Sequence, residues 1–189
     1  MLDACVKCEN MHKACEIFDE MKTQTNLNAD LITYSTVIKG FCKQKNIEKA
    51  YHFLNIMLGS KITPDEALIN LLLECCFSTG NTDKGIEIFN IMNSLKIPAS
   101  NITYSILIKI YGRARKIHKA MGVIEIMKKN RIKPGLITYT NLIQACFKAK
   151  KPDFVNDILN DIQNQNLKLD AIFYSKVVTG FQQANRLSQ

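Results

Sequence analysis

The sequence predicts an all-α fold, an α-solenoid of stacked antiparallel helix pairs. Three observations carry that prediction. Tyr34, Tyr104, Tyr139 and Tyr174 share one phase of a 35-residue period, Met57, Met92 and Met127 share another, and Pro64 and Pro134 stand two periods apart. A fixed period of this size is the signature of a repeat array, in which each repeat buries apolar surface only against its neighbours. Inside each period two stretches set apolar residues at i, i+3, i+4 and i+7, the spacing of one helix face, and chain breakers separate the two.

With Leu31 as place 1 of 35, full repeats run over 31–65, 66–100, 101–135 and 136–170, and a partial repeat follows at 171–189. Residues 1–30 form a partial repeat that lacks its first six places and carries one additional residue between Met21 and Asp30. The expectation is one continuous array over 1–189. The first helix of each repeat is expected over about places 2 to 13. Tyr34, Val37, Ile38 and Phe41 mark its apolar face, with Tyr104, Leu107, Ile108 and Tyr111 as analogues, and Ser or Thr at places 3 and 5 is expected to cap its first turn. The second helix is expected over about places 17 to 29, faced by Ile47, Ala50, Phe53, Leu54 and Met57. Place 20 is small in Ala14, Ala50, Gly85 and Ala120, which lets the two helices of a hairpin approach; Val155 departs from this. Asn46, Gly80-Asn81 and Pro152 interrupt the repeats internally, and Gly59-Ser60, Pro64, Pro98 and Pro134 fall between them. Pro152 suits the first turn of a second helix, where its missing N–H is not needed.

Composition narrows the function classes. Apolar residues make up 47% of the chain, enough for a continuous core, and a charged fraction of 22% argues against disorder. No apolar run approaches the roughly 18 residues a membrane-spanning helix needs, so no membrane insertion is expected. The first residues, MLDACVKCENMHKACEIF, resemble neither a secretory signal nor a transit peptide and already lie inside a repeat, so the chain reads as a fragment or processed product. Lys and Arg outnumber Asp and Glu by 25 to 17, a formal charge of +8 that favours a polyanionic partner. The cysteine count is odd, seven, and most cysteines recur at apolar places of the repeat. They read as small buried hydrophobes in a reducing compartment. Cys5, Cys8, His12 and Cys15 have the look of a zinc set, but the repeat frame already explains Cys5 and Cys15 as core places, and neither a metal nor a cofactor is expected. The sequence contains no nucleophile elbow, phosphate loop or paired carboxylates, and the chain reads as a non-enzyme.

The repeat LITYSTVIKGFCKQKNIEKAYHFLNIMLGSKITPD follows the pattern VxTYNxLIxGxCKxGxxxxAxxxFxxMxxxGIxPD nearly place for place, so the chain resembles the pentatricopeptide repeat family along its whole length. The 34-residue tetratricopeptide repeat, the nearest competitor, would want an early Trp, and this chain has none. The resemblance implies a right-handed superhelix that binds single-stranded RNA at about one base per repeat. It assigns base reading to place 5, here Ser35, Asn70, Ser105, Thr140 and Ser175, and to place 35, here Asp30, Asp65, Ser100, Gly135 and Asp170. Ser35/Asp65 and Thr140/Asp170 then read G, and Asn70/Ser100 resembles a C-reading pair. Ser105/Gly135 discriminates poorly, because Gly135 has no side chain. With the N-terminus toward the 5′ end, the core is 5′-G-C-N-G-3′. The same small polar residues around a helix start are commonly caps, so each pair alone has a purely structural reading. Place 2, Ile32, Ala67, Ile102, Ile137 and Ile172, is implied to wedge against bases, with the alternative that these residues only start the buried helix face. Place 13, Lys43, Arg113 and Lys148 with Ser78 breaking the row, would follow phosphates, helped by Lys39 and Lys109. The family also implies a mitochondrion or plastid and work in RNA processing, stability or translation. A scaffold holding other proteins of a ribonucleoprotein complex is the alternative, and an enzyme whose catalytic domain lies outside this stretch is a third.

Overall fold

Many helices begin at a residue whose side chain caps them, and most end where the chain turns left-handed. The computed structural model describes residues 2–23 and 29–186; the stretch 24–28, where the additional residue of the first repeat is expected, lies outside them. Two compact units result, Met1–Pro98 and Ala99–Gln189. The described residues form eleven helices and no strand.

The first unit holds α1 (Leu2–Lys7), α2 (Met11–Thr23), α3 (Leu31–Lys43), α4 (Ile47–Gly59), α5 (Glu66–Thr79) and α6 (Thr82–Ser94). These pair as the hairpins α1/α2, α3/α4 and α5/α6, and the first helices α1, α3 and α5 pack side by side in that order. The second unit holds α7 (Asn101–Arg113), α8 (Ile117–Lys129), α9 (Leu136–Lys148), α10 (Phe154–Asn164) and α11 (Ala171–Arg186). Here α7/α8 and α9/α10 are the hairpins, and α7, α9 and α11 pack side by side.

First helices start at place 1, one residue earlier than the apolar pattern suggests, and in α3, α5 and α7 the side chain at place 35 caps them. The side chains of Asp30, Asp65 and Ser100 accept from the amides of Thr33, Leu68 and Ile102. The residues at places 3 and 5, expected as caps, do not play that part. Pro152 also stands outside its helix: α10 begins at Phe154, and Val155 N–H closes a turn onto Pro152 C=O at 2.9 Å.

Helix ends explain the most conspicuous letters of the repeat. Ile62 N–H bonds Met57 C=O at 3.1 Å and Lys61 N–H bonds Leu58 C=O at 2.9 Å, the two bonds of a Schellman motif. Ile97 to Met92 and Ile132 to Met127 repeat it at 3.0 and 2.9 Å. The Met and the Ile five residues later are thus the helix's third-last residue and the residue past its left-handed turn. That turn demands positive φ, and only Gly80 meets the demand without a Cβ, at φ 81°. Lys45, Lys61, Lys96, Arg115, Arg131 and Lys150 adopt φ between 55° and 59°. Cations there also complement the negative helix end.

The expected apolar faces are the core. Tyr34, Val37, Ile38, Phe41, Ile47, Ala50, Phe53, Leu54 and Met57 are all buried. Phe18 meets Tyr34 and Phe53 edge-on with ring centroids 5.2 Å away in both cases. Place 20 is fully buried in Ala14, Ala50 and Ala120, and Val155 is accommodated there just as completely. The cysteines divide: Cys42, Cys75, Cys76 and Cys146 are buried, Cys5 and Cys15 are only half-buried, and Cys8 is exposed. Burial pushes the thiols of Cys76 and Cys146 up to about 12.

Candidate nucleic-acid interface

The start of each first helix gathers three kinds of side chain within one turn. Place 2 points outward: Ile32, Ile102, Ile137 and Ile172 are 73%, 64%, 73% and 65% exposed, and Ala67 is exposed as well. Four large aliphatic side chains at one place of a helix otherwise sorted into buried apolar and exposed polar positions do not belong to the core face. Burying such a side chain yields about 1.5–3 kcal/mol, so each is an unused hydrophobic contact.

Place 35 supplies acceptors. Asp30 Oδ1 takes both the amide and the hydroxyl of Thr33, at 2.8 and 2.7 Å, and these bonds hold its carboxyl below its ordinary value. Asp65 Oδ1 takes Leu68 N–H at 2.8 Å and Asp170 Oδ1 takes Phe173 N–H at 2.7 Å. Both carboxylates are exposed, and among the described residues nothing donates to their Oδ2 atoms. One oxygen orients the group and the other is left to meet a donor from outside, so capping leaves an acceptor available in the same side chain. Gly135 can do neither, and α9 has no side-chain cap. Asn101 compensates: its Nδ2 donates to Lys133 C=O at 3.0 Å and its Oδ1 accepts Gly135 N–H at 3.3 Å.

Place 5 is less uniform than its sequence. Ser35 is half-buried and Ser175 exposed. Asn70 donates to Glu66 Oε1 at 3.3 Å, and its buried Oδ1 has no partner. Thr140 turns its hydroxyl back onto Leu136 C=O at 2.7 Å. Ser105 is bonded to Thr138 across the boundary between two repeats, at 2.9 Å. The cations of place 13, Lys43, Arg113 and Lys148, are exposed in the last turns of α3, α7 and α9, at the far end of the helices from the other two sets. Ser78, which breaks the row, donates to Cys75 C=O at 2.9 Å.

Sequence reasoning missed four participants: Thr138, Glu66, Asn101 and Asn141. The first three bond to residues of places 5 and 35 from other helix positions. The fourth keeps a buried Nδ2 without a partner beside Thr140. The only signal for them was position, since each lies within four places of an assigned residue in its own repeat or in the next. Among the described residues no three of His, Cys, Asp and Glu gather closely enough to hold a metal ion. Nor is any helix there long and apolar enough to cross a membrane.

Family profiles match almost the full length. One described as the PPR repeat family covers residues 1–43 and 29–67, one described as a pentatricopeptide repeat domain covers 68–114 and 87–149, and one described as a PPR repeat covers 137–167. The chain belongs to the pentatricopeptide repeat family. Two pentatricopeptide repeat-containing proteins of Arabidopsis thaliana are similar to it, at 28% identity over 80 residues and 34% over 85. Those stretches are 42% and 43% of this chain but 10% and 15% of the relatives, so the chain spans a small part of their length. Among solved structures, the pentatricopeptide repeat protein PPR10 from maize superposes with a TM-score of 0.73 at 22% identity, over 95% of this chain and 26% of its own. The same protein in complex with an 18-nucleotide psaJ RNA element gives 0.63 at 18%, over 95% and 30%. The pentatricopeptide domain of Arabidopsis thaliana protein-only RNase P 1, in complex with tRNA, gives 0.72 at 16%, over 96% and 95%. At these identities the likeness is one of fold.

Proposed function

We propose that this chain binds single-stranded RNA, about one base per repeat, and acts in organellar RNA processing, stability or translation. The observation that carries this reading is the exposed aliphatic row at place 2 standing beside capped carboxylates with a free oxygen. An exposed isoleucine on either side of a base buries its faces and leaves its edge to be read. A carboxylate oxygen accepts from the ring N–H and amino group that guanine alone presents together, so Ser35/Asp65 and Thr140/Asp170 select G. The place 13 cations neutralise phosphates and make binding salt-dependent. The solved relatives whose names record bound RNA, an 18-nucleotide element and a tRNA, support the partner class.

These 189 residues act by binding alone. Their likeness to a protein-only RNase P rests on its pentatricopeptide domain, so a catalytic role would need residues outside the stretch described. The test is a titration of labelled RNAs carrying 5′-GCNG-3′ or a scramble of the same bases. Preference for GCNG that disappears when Ser35, Asp65, Thr140 and Asp170 all become Ala supports the reading. Equal affinity for both RNAs sinks the base assignment, and affinity unaffected by the four changes favours a scaffold for protein.

A further inference from the structure

Within the two units, one pair of neighbouring first helices is closed as no other is. At the N-terminal end of α7 and α9, Ser105 and Thr138 join their hydroxyls at 2.9 Å; Ser105 is 7% exposed and Thr138 1%. At the C-terminal end, a Cβ on Gly112 would stand 2.5 Å from the Cβ of Ala145, closer than two such atoms ever sit. Small residues therefore face each other at both ends. Where α3 meets α5, Leu68 takes the place of Thr138, and two cysteines, Cys42 and Cys75, meet instead of Gly and Ala. Where α9 meets α11, Phe173 takes that place, and the ring of Phe147 fills the space beside Gly180. Neither of those neighbours offers a hydroxyl to the place 5 residue it faces.

We propose that Thr138, with the Gly112–Ala145 contact holding the helices together, withdraws Ser105 from base reading, so that repeat 101–135 admits a base without selecting it. This rests on the one-base-per-repeat reading and adds a positioning residue to it. The lack of a side chain at Gly135 is then only half the reason. Thr140 is as buried, but its hydroxyl rests on a helix carbonyl that the chain's own amide already satisfies, so turning it to a base strands nothing. Turning Ser105 to a base edge breaks its bond and leaves the buried hydroxyl of Thr138 unsatisfied. Supplying a carboxylate at place 35 does not by itself make this repeat a guanine reader. Thr138 must also let Ser105 go.

The experiment measures affinities of the full chain for four RNAs that differ only at the N of GCNG. Wild type and Gly135→Asp are each expected to bind all four within about threefold. Gly135→Asp combined with Thr138→Val, which keeps the shape and removes the partner hydroxyl, is expected to prefer G by about tenfold, the worth of one good hydrogen bond to a base edge. A tenfold G preference from Gly135→Asp alone overturns the proposal, as does its absence in the double variant while Asp65→Ala still abolishes selection at the first base. If Asp65→Ala changes nothing, base reading itself has failed. The Ser105–Thr138 lock is then judged on the free chain, where Ser105→Ala and Thr138→Val together should lower the unfolding midpoint no further than the larger single effect. Strictly additive losses overturn it.

Discussion

Asn130 Nδ2 donates to Tyr104 Oη at 2.9 Å, tying the first helix of a repeat to the end of its second. The same two places meet elsewhere: Tyr34 Oη lies 3.0 Å from Ser60 Oγ, and Gln165 Nε2 donates to Tyr139 Oη. Tyr139 in turn donates to Asp161 Oδ2 at 2.6 Å, and with burial this pushes its phenol above the ordinary value. Repeat 66–100 lacks both partners at once, with Ile69 for the tyrosine and Leu95 for the polar residue that meets it. Tyr104→Phe is expected to cost about 1 kcal/mol, the net worth of one such bond plus the stranded amide. Ile69→Tyr alone should cost stability, and adding Leu95→Asn should restore part of it. Denaturant unfolding of the wild type and the three variants checks both statements.

Gly112 leaves no room for a Cβ against Ala145 in the α7–α9 contact. Gly112→Ala is expected to destabilise the second unit by about 1–3 kcal/mol through overpacking, despite the better helix propensity of alanine. Combining it with Ala145→Gly moves the methyl to the other side and should recover most of the loss. Thermal unfolding of the single and double variants measures this, and no recovery would mean that the contact is not the cause.

Asp30 gives a pH dependence whose sign follows from its bonds. The hydroxyl of Thr33 first, then its amide, hold the folded carboxyl below the ordinary 3.8. Its contribution is therefore complete above the unfolded value and fades as pH falls from about 4 through the lower folded value. Asp30→Asn should flatten the unfolding midpoint over that window and change little at pH 7, since asparagine also caps. A midpoint profile between pH 2 and 7, taken on both chains, checks it.

The place 13 cations predict a salt slope. Replacing Lys43, Arg113 and Lys148 together by Gln removes up to three phosphate contacts and should reduce the slope of log affinity against log salt by about 2. Selection between G and other bases should persist, because these side chains sit at the other end of their helices from the reading places. An unchanged slope would show that they face solvent only.

The architecture was legible in the sequence because it is periodic. A 35-residue recurrence of Tyr, Ala and Met can only be satisfied by stacked hairpins, and the helix limits follow from local rules of capping and left-handed termination that read a few residues at a time. Legible too were the places we propose for base reading, since small polar residues beside an apolar helix start recur in register. Hidden from the sequence was how each assigned group is spent. Nothing in a one-dimensional pattern says that Asp65 caps α5 with one oxygen and keeps the other free, that Ile102 faces out while Ile106 faces in, or that Ser105 is bound to a threonine 33 residues away. Those outcomes depend on distances between repeats. Such distances are set by pairs of facing side chains, Gly112 with Ala145 or Phe147 with Gly180, whose sizes mean nothing until the helices are packed together.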